Sequence, residues 1–152
     1  MSSFIALYNN FRRWPLGQFA FDRGIGLVAP FFATIRPRIR QLEPSLCVVE
    51  MNDRRAVRNH LGTINAGALC TLAELTGGMA VDATIPAQLR WIPKAMTVEY
   101  LAKARGPLRA SCRLDQPIDR AGTLLAPVEV RDTEERLVFT AQITFHISQR
   151  KA

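Results

Sequence analysis

The chain has 152 residues, one ordinary domain with room for a sizeable core of its own. Hydrophobic residues make up 48% and charged residues 22%, which excludes a disordered chain, and no apolar run reaches the length of about 18 residues that spans a membrane. The formal net charge of +7 suits anionic partners, whether nucleic acid, a phosphorylated cofactor such as coenzyme A or an acidic membrane, as well as a merely soluble surface; basic residues never run beyond two, so nucleic acid is not expected.

At the start, Phe4, Leu7, Tyr8, Phe11 and Trp14 recur at spacings of three and four, which predicts an amphipathic helix that docks on the domain or touches a membrane face. Pro15 and Gly17 break it. A second short helix is predicted within Phe19–Thr34, weakened by Gly24, Gly26 and Pro30. Strands follow. Ile35, Pro37, Ile39 and Gln41 alternate with Arg36, Arg38 and Arg40, and Pro37 marks an edge or a bulge. Ser45–Met51 is the hairpin partner across a turn at Glu43 and Pro44.

After a polar loop the stretch NHLGTINAGALCTLAEL (59–75) opens a long apolar segment, Ile64 to about Ile85. Its length and its Ala and Leu content predict a helix, capped by Asn65, ended by Pro86 and buried on nearly all sides. Gly77 and Gly78 inside it predict close approach of another backbone. Glu74 is the one carboxylate within 59–75, and burial among Leu69, Cys70, Leu72, Ala73 and Leu75 is expected to raise its pKa. Four strands complete the chain: Lys94–Ala104, Pro107–Asp115, Thr123–Asp132 and Arg136–Ser148. In the first, Met96, Val98, Tyr100 and Ala102 share one face. The resulting class is α+β, an antiparallel sheet around one apolar helix whose far side is left for a partner subunit.

Cys47, Cys70 and Cys112 are scattered and form no CxxC, which fits free thiols in a reducing cytoplasm, with Cys70 read as core packing. No secretory signal is read, because Arg12 and Arg13 follow the early apolar residues. His60 is expected in a surface loop. With His146 as the only other histidine and no acidic cluster, no metal site is expected.

The element order and the 59–75 motif resemble the hotdog-fold acyl-CoA thioesterases of the PaaI-like type, closest to an uncharacterised branch whose pattern reads Asn-His-x-Gly-Thr-x-His-Ala-Gly-Ala, then a helix Glu. Trp91–Gly106 and the aromatic N-terminal segment are similar to that branch too. The resemblance implies a single hotdog domain over 1–152, with a helical extension at 1–33 and the core at 34–148. It further implies a thioester hydrolase with its site shared across a homodimer, possibly in a dimer of dimers, and an acyl-CoA substrate with no other cofactor. Carried over residue by residue, it makes Glu74 the general base or nucleophile and Ala66 the backbone donor to the oxyanion. Gly67 becomes the second Gly, Asn65 the first residue of the usual His-Gly-Gly signature, and Asn59 the loop residue orienting carbonyl or water. The sequence departs from the pattern twice: Asn65 stands where His is usual, and Pro93-Lys94 stands where a strand Ser or Thr is common, with Thr97 out of register. Those departures favour an alternative, a non-catalytic acyl-CoA or lipid-binding protein on the same fold.

The geometry of the helix adds one demand of its own. Gly67 and Glu74 are two turns apart, roughly 10 Å along the axis, too far to serve one carbonyl within one chain. A second, antiparallel copy of the helix is therefore expected.

Overall fold

The computed structural model describes residues 3–150. Two helices, α1 (Ser3–Phe11) and α2 (Gly17–Val28), and a 3-10 segment (Pro30–Ile35) precede the hairpin β1 (Arg38–Glu43) and β2 (Leu46–Met51). The long helix α3 (Ala66–Thr84) follows, then β3 (Leu89–Tyr100), β4 (Leu108–Arg113), β5 (Gly122–Arg131) and β6 (Leu137–Gln149). The strands form one antiparallel sheet in the order β1-β2-β4-β5-β6-β3. This sheet curls around α3, and the fold is the hotdog fold. No described helix is long and apolar enough to cross a membrane.

Sheet and helix share one core. Alternate residues of β4, β5 and β6 turn inward, among them Ala110, Cys112, Val128, Val130, Phe139 and Phe145, all essentially inaccessible. Against them lies α3, buried from Leu69 to Val81 except at Cys70 and Glu74. Its threonines are satisfied locally: the Thr71 and Thr76 hydroxyls donate to the carbonyls of Gly67 and Leu72 at 2.8 and 2.7 Å. Gly77 and Gly78 do permit close approach, but of side chains rather than backbone. A Cβ on Gly77 would lie 2.8 Å from Ile143 Cδ1, and one on Gly78 3.1 Å from the Trp91 ring. Cys47 and Cys112 face each other across β2 and β4 as free, buried thiols.

Several sequence expectations shift. The second helix is shorter than 19–34, because Pro30 ends α2 and the chain continues as a tight 3-10 turn. Pro37 precedes β1, and a bulge between Ile39 and Gln41 breaks the simple alternation. Ile39 and Leu42, not Gln41, thus enter the core. The bulged residue's carbonyl, at Arg40, accepts a hydrogen bond from the Tyr8 hydroxyl at 3.2 Å. β3 begins at Leu89 rather than Lys94 and ends at Tyr100. Its Pro93 sits at a second bulge, tolerated because β3 is the last strand of the sheet and pairs on one side only. Such an edge strand carries mostly exposed residues, so alternation gives little warning of where it starts.

The aromatic stripe of α1 docks. Tyr8 is fully buried and its ring meets Phe21 edge-on at 5.2 Å. Trp14, expected on the same stripe, lies beyond the helix and is 70% exposed.

Candidate active site

The start of α3 is held by a compact loop. The Asn59 carboxamide oxygen accepts from the backbone N–H groups of Leu61 and Thr63 at 3.0 and 3.2 Å, and its Nδ2 donates to Thr63 Oγ1 at 2.9 Å. The Asn65 N–H donates to the Val57 carbonyl and the Ile64 N–H to Ala104, both within 2.9 Å. Asn65 then caps the helix: its Oδ1 accepts the Gly67 N–H at 2.7 Å. Among the described residues the Ala66 N–H has no partner. Asn65, Ala66 and Gly67 are all exposed. The Ala68 N–H likewise has none, so the helix start offers two free amides, at Ala66 and Ala68, at the positive end of a 19-residue dipole.

Only one stripe of α3 escapes the sheet. It runs Ala66, Cys70, Glu74, one residue per turn, and Glu74 is exposed. The expected burial of Glu74 is corrected here: its stripe is the one the chain's own sheet leaves uncovered. Glu74 forms no ion pair or hydrogen bond among the described residues. It stands at a cavity of about 370 Å³ walled by Phe4, Ile25, Phe32, Met79, Trp91 and other apolar groups. Glu74 and Asp82 are the carboxylates in that wall. The helix start borders a different cavity, of about 330 Å³, with Phe31, Val57 and Thr71. Glu74 lines the first cavity and not the second, while Asn65, Gly67 and Ala68 line the second and not the first.

Two pairs of neighbours of the site were not singled out for it from sequence. Cys70, expected in the core, is half-buried, and its sulfur lies 3.4 Å from the hydroxyl of Tyr100 on β3. That contact, followed by burial, raises the Tyr100 pKa. The spacing held a usable signal, since Cys70 is four residues from both Ala66 and Glu74. Asp82 accepts a long hydrogen bond from Trp91 Nε1 at 3.4 Å, while its Oδ2 is buried without a partner. Nothing in the sequence marked that pair, which depends on β3 starting early. His60 is exposed in its loop, and among the described residues no three His, Cys, Asp or Glu side chains gather as a metal site would require.

Comparison with known proteins fits this architecture. Residues 17–147 match the family described as a domain of unknown function, DUF4442, and the chain belongs to that family. The structural-genomics crystal structure of genomics APC5556 is 41% identical, covers 97% of this chain and 98% of its own, and superposes with a TM-score of 0.85. A Pseudomonas aeruginosa protein of unknown function, described as a probable thioesterase, is 24% identical over 87% of this chain and 96% of its own, with a TM-score of 0.78. A thioesterase from Haemophilus influenzae is 14% identical over 78% of this chain and 82% of its own, with a TM-score of 0.71. No curated protein is significantly similar to the chain.

Proposed function

We propose that the protein is an acyl-CoA thioesterase whose active site is assembled from two copies of the chain. The observation that carries this reading is the division of α3 into two exposed half-sites, an unpartnered Ala66 N–H and, two turns later, an unpaired Glu74 beside an apolar cavity. The thioesterase names of fold neighbours lend it support. In an antiparallel dimer the Ala66 N–H of one chain and the Glu74 of the other meet at one thioester. The β3 edge provides a surface for such pairing: it is long, unpaired on its outer side, and exposes Ile92 and Tyr100.

The chemistry follows from these groups. The acyl chain occupies the apolar cavity and the thioester carbonyl accepts the Ala66 N–H. Glu74 takes a proton from a water, and the water oxygen adds to the carbonyl carbon. Negative charge builds on the carbonyl oxygen, where the amide and the helix dipole stabilise it. The tetrahedral adduct collapses, the C–S bond breaks, and Glu74 returns the proton to the departing sulfur. A carboxylic acid and free coenzyme A result, with no cofactor consumed. Gly67 and Asn59 hold the backbone in place, since the side chain of Asn65 is committed to Gly67 and that of Asn59 to its own loop.

The test is thiol release from a panel of acyl-CoA thioesters by the purified protein. Turnover abolished by Glu74→Gln supports the reading; a panel without turnover, or turnover indifferent to Glu74→Gln, defeats it. A second reading, an acyl-CoA or lipid-binding protein without hydrolysis, is favoured by the engaged Asn65 in place of His and by Pro93-Lys94 where a hydroxyl is common. It predicts saturable binding with no thiol released.

A further inference from the structure

Part of the basic character of the chain is gathered in one groove. A groove of about 680 Å³ runs between α2, the 3-10 segment, β1 and the loop after β2, and Arg23, Arg36, Arg38, Arg40 and Arg54 line it together with Asp22. It lies on the opposite face of the α2 and 3-10 pair from the apolar cavity, which takes Ile25, Val28 and Phe32 from the same elements.

Five guanidinium groups in one groove repel one another, and carboxylates offset little of this. Among the described residues Arg40 alone of the five forms an ion pair, with Glu50 at 2.7 Å, and Glu50 is shared with Arg109. Asp22 is spent internally: its Oδ1 accepts from the Ile39 N–H at 3.0 Å and from Gln18 Nε2 at 2.9 Å. Arg54 Nη2 donates to the Thr34 carbonyl at 2.7 Å, while its Nε is buried without a partner. Burial and the adjacent Arg36 charge both pull the Arg54 pKa down. Arg36 itself sits in the left-handed region at φ 47°, a conformation a non-glycine residue adopts at some cost. Arg23 lies over the exposed ring of Phe19, 5.1 Å from its centroid.

From this we infer that the groove binds a ligand carrying at least two phosphate groups, such as a diphosphate or a bisphosphorylated nucleotide. A phosphate presents several acceptor oxygens to planar guanidinium forks and removes the repulsion among them. A single anion would leave most of the five arginines unanswered, and a groove of this size has room for more. The site goes beyond the hydrolytic reading and does not rest on it. Its ligand can be a free phosphorylated nucleotide or diphosphate, or can be a lipid headgroup.

Calorimetric titration of the full chain with inorganic pyrophosphate at low ionic strength tests it. Saturable binding at one ligand per chain is expected. It should weaken by about tenfold or more in the double variant Arg23→Gln, Arg38→Gln, since each charge-assisted hydrogen bond lost is worth about that factor. The control double variant Arg113→Gln, Arg120→Gln removes the same net charge elsewhere and should bind like the parent. Absence of saturable binding, or equal loss in the control, overturns the proposal. Further arms name the source: adenosine 3′,5′-bisphosphate outbinding pyrophosphate indicates a nucleotide, while groove-dependent flotation with vesicles containing cardiolipin, whose headgroup carries two phosphates, but not with phosphatidylcholine vesicles indicates a headgroup. No thioester enters any arm, so a failure of the acyl-CoA panel would defeat the thioesterase reading and leave this one standing, and a failure here would leave that panel untouched.

Discussion

Asn65 Oδ1 accepts the Gly67 N–H at 2.7 Å, and this bond takes the middle one of the first three amides of α3 out of play. Gly67 is committed to the cap, while the Ala66 and Ala68 N–H groups keep no partner among the described residues. The cap also explains how an asparagine serves where the resemblance leads one to expect a histidine. It accepts one hydrogen bond well and has no proton to exchange.

Ala66→Pro is the sharpest probe of the free Ala66 amide. Proline is well tolerated at the first position of a helix, and Asn65 already has the extended conformation that precedes proline, at φ −65° and ψ 141°. The variant should fold with nearly unchanged Tm and lose about 100-fold or more in kcat, the scale of removing one oxyanion donor. Normal turnover in a folded Ala66→Pro protein would exclude this amide from the chemistry.

Mixing tests whether the two half-sites come from different chains. Ala66→Pro and Glu74→Gln are each expected to be inactive alone. Unfolded and refolded together in equal amounts, they form heterodimers with one intact site, restoring about a quarter of parental activity. A mixture as inactive as its components would place both groups in one chain.

The cap itself should be measurable as stability. Asn65→Ala is expected to cost about 1 kcal/mol, while Asn65→Asp should retain most of it because a carboxylate accepts the same bond. Chemical denaturation of the three proteins compares them directly.

Thiol chemistry should separate the cysteines. Burial pushes Cys112 up to about 12 and Cys47 higher still, so neither presents a thiolate at neutral pH. Cys70 is the more accessible. Alkylation of the native protein, read by mass spectrometry, should modify Cys70 first and reach the other two only on unfolding.

Asp53 should make one part of the fold acid-sensitive. Its carboxylate accepts from Arg58 Nε at 2.6 Å and from the Gly106 N–H at 2.9 Å, tying the loop before α3 to the turn before β4. The Arg58 bond, with help from Gly106, outweighs burial and lowers the Asp53 pKa in the folded chain. A lowered folded pKa contributes stability that is present above the unfolded value of about 3.9 and lost as pH falls through the folded one. Asp53→Asn should therefore lower Tm by about 2–4 °C at neutral pH, with the gap closing below pH 4. A gap that stays constant into acid would mean the charge is not what matters.

Much of this architecture was legible in sequence because its elements are strongly patterned. The length and composition of Ile64–Ile85, with Asn65 ahead and Pro86 behind, mark α3 to within two residues at each end. β5 and β6 alternate so regularly that their bounds fall within a residue of expectation. What escaped was set by position in the sheet. β3 is an edge, its outer face has no partner within the chain, and residues 89–93 lack the alternation that would announce a strand. The bulge at Arg40 depends on a tyrosine 32 residues earlier, which no local pattern encodes. Glu74 was misjudged for a related reason: a run of apolar neighbours says that a helix is buried, not which stripe its own sheet fails to reach. The arginine groove draws on four separate segments and exists only once they are packed together.

The bond from Tyr8 to the Arg40 carbonyl has an architectural consequence. It fixes α1 to a kink in the sheet, and α1 in turn supplies Phe4 to the wall beside Glu74. The N-terminal helices act as a keystone: remove them and the apolar cavity becomes an open trough, losing Phe4, Ile25 and Val28 from its wall. In a hotdog domain, then, the dimensions of a cavity can be set by a segment outside the sheet that gives the fold its shape.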